Sequence, residues 1–328
     1  MKKQILGKDL KVSAVGLGCM GFSHAYGVAT NKAEAIRAIQ AAFEMGYTMF
    51  DTAESYLGTY ADGSTSYNEE LVGEALAPYR DKVQIATKFG VHHLNRSIVT
   101  DSRPETIRKS VEGSLRRLHT DHIDLYYQHR IDTSVPAEEV AGVMADLMRE
   151  GKITHWGISE ANEEYLRKAH VVCPVTAIQN RYSMMYRDYE VLFPVLEELS
   201  IGFVAFSPMA NGFLTGKYIT NAGFVQEDYR SAMPQFTAEA VEKNKDLLAL
   251  LNGLAESKDA TAAQISMAWM LCKKPYIVPI PGSRKNERLK ENAGAAEIEL
   301  TASEVKSLDD ALSGMEMSQV FGGSKIVK

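Results

Sequence analysis

The stretch Tyr47-Thr48-Met49-Phe50-Asp51-Thr52-Ala53-Glu54-Ser55-Tyr56 decides how the rest of the chain is read. Thr48 to Phe50 form a short apolar strand that stops on an acid, and Tyr56 follows in a polar loop. A strand covered on both faces is apolar, so a carboxylate at its end marks where the sheet meets solvent or a ligand. Two later strands end the same way. Val83-Gln84-Ile85-Ala86-Thr87 stops at Lys88, and Ile123-Asp124-Leu125-Tyr126-Tyr127-Gln128 stops at His129. An acid, a base and an imidazole thus stand at equivalent ends of successive strands, the end at which a parallel barrel carries its active site.

Working outward, the chain predicts eight strand-to-helix units behind an N-terminal hairpin at Gln4–Val12. The first inner strand is Val15–Gly18. Asn31 with Glu34 caps a helix whose apolar face is Ile36, Ile39 and Phe43. Helices follow at Asn68–Leu76, after a Ser102/Glu105 cap (Pro104 in its first turn, apolar stripe Ile107, Val111, Leu115 and Leu118), and at Ala137–Arg149. Ile153–Ile158 is a strand ending at Ser159, Glu163–Lys168 a helix, Ala177–Asn180 a strand, Tyr189–Leu199 a helix, and Phe203–Phe206 a strand. A long loop, Met209–Thr237, leads to helices at Ala238–Glu256 and Ala262–Cys272. Strand Tyr276–Pro279, a helix at Arg284–Ala293, a Thr301/Glu304-capped helix and a Gly-bearing tail complete the chain. Strict alternation of short apolar strands with helices implies a parallel sheet. Eight units favour closure into a (β/α)8 TIM barrel with an N-terminal β-hairpin and extra helices. No G-x-G-x-x-G follows the first strand, so the Rossmann fingerprint is absent. No composition break marks a second domain within residues 1–328.

Composition narrows the function. The 328 residues are 45% hydrophobic and 24% charged, with a net charge of −6. This is the balance of an ordinary globular protein, and the sign opposes general affinity for nucleic acid or anionic membrane. No run is apolar enough to span a bilayer. Met1–Lys8 lacks a leader's apolar stretch, and the three cysteines, Cys19, Cys173 and Cys272, are scattered. Both features predict a reduced, cytoplasmic setting. The histidines form no zinc spacing, so no metal is expected; His92-His93 follows the Lys88 strand, where it lines the pocket or is simply loop polarity.

Free tyrosine, with a pKa near 10, is a weak acid at neutral pH. A cation beside the phenol favours phenolate; Lys88 supplies the cation, Asp51 keeps it charged, and His129 addresses the same atom. The four make a proton-transfer site aimed at an oxygen, such as a carbonyl becoming an alcohol. Taken singly, each has a plainer reading: a capping Asp51, a surface Tyr56, a solvated Lys88, a structural His129. A second cluster, Ile280-Pro281-Gly282-Ser283-Arg284-Lys285-Asn286-Glu287-Arg288, joins a strand end to a helix start. Free N–H groups, glycine and arginines suit a phosphate there, against the alternative of a charged, solvated first turn.

At this point the motifs resemble a known family, the aldo-keto reductases. They are Val15-Gly16-Leu17-Gly18-Cys19-Met20-Gly21, Phe50–Tyr56, Ala86-Thr87-Lys88, Asp124–Arg130, Gly157-Ile158-Ser159, Gln179-Asn180, Phe206-Ser207-Pro208 with Gly212–Lys217, and Pro279–Arg284. The chain looks most like the bacterial and fungal branch of that family, also similar to potassium-channel β-subunits. The resemblance implies NADPH as cofactor and a small-molecule carbonyl substrate, with Asp51, Tyr56, Lys88 and His129 as catalytic tetrad. It implies Ser159 and Gln179 on the carboxamide and Phe206 against the nicotinamide ring. Ser207, Pro208, Met209, Gly212, Leu214 and Lys217 would run along the pyrophosphate. Ser283, Arg284 and Arg288 would take the 2′-phosphate, Glu291 and Asn292 the adenine, with Cys19, Met20, Asp51, Ile280 and Gly282 completing the cofactor site. Phe206 stands where many relatives carry tyrosine, and Glu160 where asparagine is common. Leu57–Tyr67 is longer than the usual link and is expected to overhang the pocket. Substrate choice is expected to depend on Phe22, Tyr26, that segment, Tyr218–Phe236 and the tail near Phe321. Two other readings stay open: a cofactor-sensing regulatory subunit with slow chemistry, and a barrel aldolase or isomerase using Lys88 as a Schiff base. Oligomeric state is not legible.

Overall fold

The computed structural model describes residues 1–94, 97–218, 223–322 and 325–327. The chain opens with an antiparallel hairpin, β1 (Lys3–Leu6) and β2 (Leu10–Ser13). Next come β3 (Leu17–Gly18), α1 (Lys32–Glu44), β4 (Met49–Asp51), β5 (Leu57–Thr59), β6 (Thr65–Tyr67), α2 (Asn68–Leu76) and β7 (Gln84–Phe89). They are followed by β8 (Val91–Leu94), β9 (Ser97–Thr100), α3 (Pro104–Leu118), β10 (Ile123–Gln128), α4 (Ala137–Arg149), β11 (Ile153–Ser159), α5 (Glu163–Val172) and β12 (Ala177–Arg181). Then follow α6 (Phe193–Leu199), β13 (Gly202–Phe206), α7 (Ala238–Lys243), α8 (Lys245–Ser257), α9 (Ala262–Lys273), β14 (Ile277–Pro279), α10 (Asn286–Gly294), α11 (Ala302–Gly314) and β15 (Lys325–Ile326).

Strands β3, β4, β7, β10, β11, β12, β13 and β14 lie side by side in that order, every pair parallel. The seam between first and last is closed by backbone bonds from Gly16 N to Pro279 O (3.0 Å) and Gly18 N to Pro281 O (3.2 Å). This is a (β/α)8 barrel. Closure needs glycine: a Cβ on Gly18 would stand 2.8 Å from Ile280 O.

Side chains alternate along each strand. Met49, Ala86, Leu125, Ala177, Val204, Val278 and Ile280 fill the barrel interior, and Leu6, Leu10 and Val12 of the hairpin plug its lower end. The opposite set, including Phe50, Ile85, Tyr126, Ile178 and Phe203, packs outward under the helices. The interior is therefore blocked below, leaving the C-terminal rim as the face where polar side chains can be held.

Several boundaries differ from expectation. Strand β7 runs past Thr87 through Lys88 to Phe89, so Lys88 projects from inside a strand. Ser102 does not cap α3; it is buried, and its Oγ accepts from Gln128 Nε2 at 3.0 Å. Tyr189–Leu199 divides into a 3-10 turn, Asp188–Leu192, and α6. Pro194 has no N–H to continue the earlier turn, and Val191 faces solvent. Ala238–Glu256 breaks at Asn244, whose Nδ2 bonds Ala240 O and Ser318 Oγ, each at 2.7 Å. α10 starts at Asn286, not Arg284, so Ser283 and Arg284 stay in the preceding loop. Leu57–Tyr67 is a hairpin, β5 with β6, lying against the 23–29 loop: Ala29 N donates to Thr59 O, and a Cβ on Gly58 would fall 1.6 Å from Ser23 O. A second hairpin, β8–β9, which the sequence reading did not anticipate, is extended by β15 from the tail. Within the Met209–Thr237 loop and the tail, residues 219–222, 323–324 and 328 lie outside the described residues.

The hairpin plug predicts a stability effect remote from the rim. Leu6 is 0% exposed and packs on Gly202. Leu6→Ala should cost about 2–5 kcal/mol, read as a lower urea midpoint at unchanged slope. A shift worth less than about 1 kcal/mol would remove the hairpin from the core.

Candidate active site

Strand register sets the rim. Asp51 pairs with Ala86 across β4 and β7, Lys88 with Tyr127 across β7 and β10, and Ser159 with Gln179 across β11 and β12. Lys88 is 0% exposed. Its Nζ donates to Asp51 Oδ1 at 2.6 Å and Thr52 O at 2.7 Å, and lies 3.3 Å from the Tyr56 hydroxyl. The other Asp51 oxygen accepts from Gln179 Nε2 at 2.7 Å. His129 stands edge-on to Tyr56, with ring centroids 5.7 Å apart, and its Nδ1 lies 3.4 Å from Ser55 Oγ. The four residues singled out at strand ends and in the loop therefore converge.

Burial opposes charge on each of them. It would pull the Lys88 ammonium down, but the Asp51 carboxylate and then Tyr56 outweigh it and hold Lys88 above the ordinary lysine value. Loss of water raises the Tyr56 phenol above its usual value, and Lys88 counters only part of that rise. The expectation of a phenol already more acidic than free tyrosine is thus corrected: desolvation is the larger effect. Burial, then Arg130 and Lys88, keep His129 far below the usual imidazole range, so its ring is neutral.

Above the four lies a cavity of about 490 Å³. It runs from Tyr56, His129 and His93 past Phe206 to Arg284, Arg288 and Asn292. Of the residues expected on the cofactor, Met20, Asp51, Ser159, Gln179, Phe206, Ser207, Pro208, Met209, Gly212, Lys217, Ile280, Gly282, Ser283, Arg284, Arg288, Glu291 and Asn292 all line it. Cys19 and Leu214 do not. Cys19 is fully buried with its Sγ 3.6 Å from Leu17 O, and Leu214 is turned into the core. Phe22, Tyr26, Tyr218 and Phe321 line the cavity as expected, but no residue of the β5–β6 hairpin does; it covers the 23–29 loop instead of overhanging the pocket. His93 lines the cavity with its ring tilted against that of His24, at 4.8 Å between centroids, whereas His92 does not reach the cavity.

Three arginines on the wall were absent from the predicted site. Arg130 Nη1 donates to His129 O at 2.6 Å and Ser159 Oγ at 3.1 Å. Arg230 pairs with Asp228 at 2.6 Å. Arg181 ends β12. Period-two alternation was the available signal for the last: Gln179 faces in, Asn180 turns out to bond Ala161, and Arg181 faces in again.

Comparison with known proteins now bears on this geometry. Residues 14–313 match the Aldo/keto reductase family. The chain belongs to the aldo/keto reductase family. It is 39% identical over 319 residues to a probable aldo-keto reductase of Glycine max, covering 96% of this chain and 89% of that protein. Among solved structures it is similar to the glycerol dehydrogenase of Gluconobacter oxydans (30% identity, TM-score 0.85, 98% of both chains). It is also similar to an aldo/keto reductase from Klebsiella pneumoniae in complex with NADP and acetate (26% identity, TM-score 0.70, 100% of both chains).

The residues of this aldo/keto reductase fit a nicotinamide dinucleotide. Gly18 and Gly282 face each other on the cavity wall, where a Cβ on Gly282 would meet Gly18 O at 2.9 Å, leaving a bare backbone cradle. At the far end the buried Glu291 Oε1 has no donor among the described residues. Arg284 reaches only neutral oxygens, Tyr26 O at 3.2 Å and Thr30 Oγ1 at 3.5 Å, so its charge is available to an anion. Among the described residues, no helix is long and apolar enough to cross a membrane.

The buried imidazoles set a pH dependence. His129 and His24 are both depressed, by burial first. Between their folded values and the unfolded value near 6.5 the unfolded chain binds more protons, so stability falls as pH drops through about 6.5. The urea midpoint should decline from pH 7.5 to pH 5, and His129→Gln should flatten that decline; a slope unaltered by the substitution would contradict the buried neutral ring.

Proposed function

We propose that this chain is a single-domain NADPH-dependent reductase that converts an aldehyde or ketone to the alcohol. The observation that carries the reading is Lys88 Nζ, wedged between Asp51 Oδ1 at 2.6 Å and the Tyr56 hydroxyl at 3.3 Å, under a cavity that ends in arginines. A nicotinamide bound along that cavity would supply the hydride. Tyr56 is the only one of the four that is both protonated at neutral pH and aimed into the cavity as an O–H donor. It therefore hydrogen-bonds the substrate carbonyl oxygen and gives it a proton as negative charge develops there. Lys88 stabilises the phenolate left behind, and Asp51 fixes the ammonium in place. The neutral His129 orients the carbonyl oxygen toward Tyr56. Phe206 offers an apolar face to a planar ring, with Ser159 and Gln179 positioned for an amide. Arg284 and Arg288 supply the charge that would favour a 2′-phosphate, and hence NADPH over NADH. The Schiff-base alternative fits poorly: a fully buried amine held protonated by Asp51 is not a nucleophile.

Reduction of an aromatic aldehyde, followed by NADPH absorbance, tests the reading. Tyr56→Phe should lower kcat by about 100- to 10,000-fold while NADPH still binds; wild-type turnover by this variant would discard Tyr56 as the donor. Arg284→Ala combined with Arg288→Ala should weaken NADPH binding by about 10-fold or more and leave NADH binding nearly unmoved. Equal effects on both cofactors would place the 2′-phosphate elsewhere.

A further inference from the structure

Arg181 stands out among the charged groups of the cavity. It is 6% exposed, lines the wall, and takes part in no ion pair and no side-chain hydrogen bond among the described residues. Its guanidinium carbon lies over the rings of Tyr186 at 5.1 Å and Phe206 at 5.5 Å. Ring faces stabilise the charge but leave the N–H donors unspent. The other cavity arginines are engaged: Arg130 with His129 O and Ser159, Arg230 with Asp228, Arg284 with Tyr26 O, and Arg288 with the Tyr218 hydroxyl at 2.7 Å. The carboxylate of Glu160 reaches the Tyr189 hydroxyl at 3.2 Å instead of the guanidinium. Among the described residues this nearly buried cation has no anionic partner, and its donors open onto the cavity, which points to an anion that arrives with the ligand.

Position says which ligand. Arg181 lies two residues beyond Gln179 on the same face of β12, and Gln179 touches Asp51. It also pairs in register with Phe206. It therefore belongs to the part of the cavity next to the Lys88–Tyr56 centre, not to the Arg284–Arg288 end. A guanidinium presents a rigid planar fork that matches a carboxylate bidentately, and two flanking rings hold that fork in place. We propose that Arg181 is the anchor of a carboxylate-binding subsite, and that the substrates this enzyme favours are carbonyl compounds bearing a carboxylate remote from the reacting carbonyl. Gln179 and Phe206 set the height of the fork on the wall, and the Asp51 charge is already paired with Lys88.

This assignment rests on the reductase reading, and the test separates the two. 4-Carboxybenzaldehyde and its neutral methyl ester are compared by kcat/KM with NADPH, using wild type, Arg181→Met and Arg181→Lys. Wild type should prefer the acid, and the acid-to-ester ratio should fall at least tenfold in Arg181→Met, through KM, with partial recovery in Arg181→Lys. A wild-type preference for the ester, or an unchanged ratio in Arg181→Met, overturns the subsite. So does a loss confined to the NADPH dissociation constant, which would make the guanidinium a contact for a cofactor phosphate. Should wild type reduce neither aldehyde, the reductase reading fails by itself. Calorimetric titration of terephthalate into the NADP⁺-treated protein then decides the subsite: binding at least tenfold weaker in Arg181→Met supports it, equal or absent binding in wild type overturns it. If Arg181→Met does not fold, Arg181→Lys and Arg181→Gln carry the same comparisons.

Discussion

The ion pair between Lys88 and Asp51 is the contact on which the site depends. Both groups are almost wholly removed from water, and each would be intolerable there alone. Breaking a pair of this kind costs about 3–5 kcal/mol, whereas an apolar replacement of both partners is often neutral. Its presence at the centre of a barrel is therefore poorly explained by stability and well explained by chemistry. Thr52 O and Gln179 Nε2 complete the shell, so the ammonium has one free direction, toward the Tyr56 oxygen. The geometry separates two jobs. In the proposed mechanism, burial keeps the phenol protonated until a proton is wanted, and the ammonium stabilises the phenolate once the proton has gone.

The barrel makes that pair possible. Asp51 and Lys88 come from neighbouring strands whose register fixes their height, and the hairpin plug keeps water out from below. The glycine seam between β3 and β14 brings Gly18 and Gly282 within a carbon's width of one another, turning two strand ends into a bare backbone surface on the cavity wall. A chain with a net charge of −6 nonetheless lines this cavity with arginines, so its local field opposes its overall one. Clefts with low-dielectric walls focus such fields onto an incoming anion.

Arg181 and Arg288 show how differently two cationic side chains are used. Arg288 is held by a phenol, Tyr218, over which Arg230 also lies, so the far end of the cavity is a tied network. Among the described residues Arg181 is held by ring faces alone and keeps its donors free. Only the first kind could be anticipated from a cluster of basic residues in the sequence; an isolated arginine within a buried strand carries no local sign of being unpaired.

Much of the architecture was legible because it rests on local periodicity. Short apolar strands alternating with amphipathic helices imply a parallel barrel, and α2, α4 and β10 begin and end where their patterns say. That Asp51, Lys88 and His129 would converge was legible too, since strand ends in a parallel barrel share one rim and the three are polar interruptions of apolar runs. What needed tertiary structure was whatever depends on neighbours distant in sequence. Ser102 forsakes its cap for Gln128, Cys19 and Leu214 turn from the cavity into the core, and the β5–β6 hairpin leans on Ser23 instead of overhanging the pocket. The sequence by itself determined the order of elements and the residue types at the rim, because each follows from the period of a single segment. The balance of desolvation against charge at Tyr56, and the lack of a polar partner for Arg181 among the described residues, were decided only in three dimensions, because both depend on which side chains of other strands come close and which stay away.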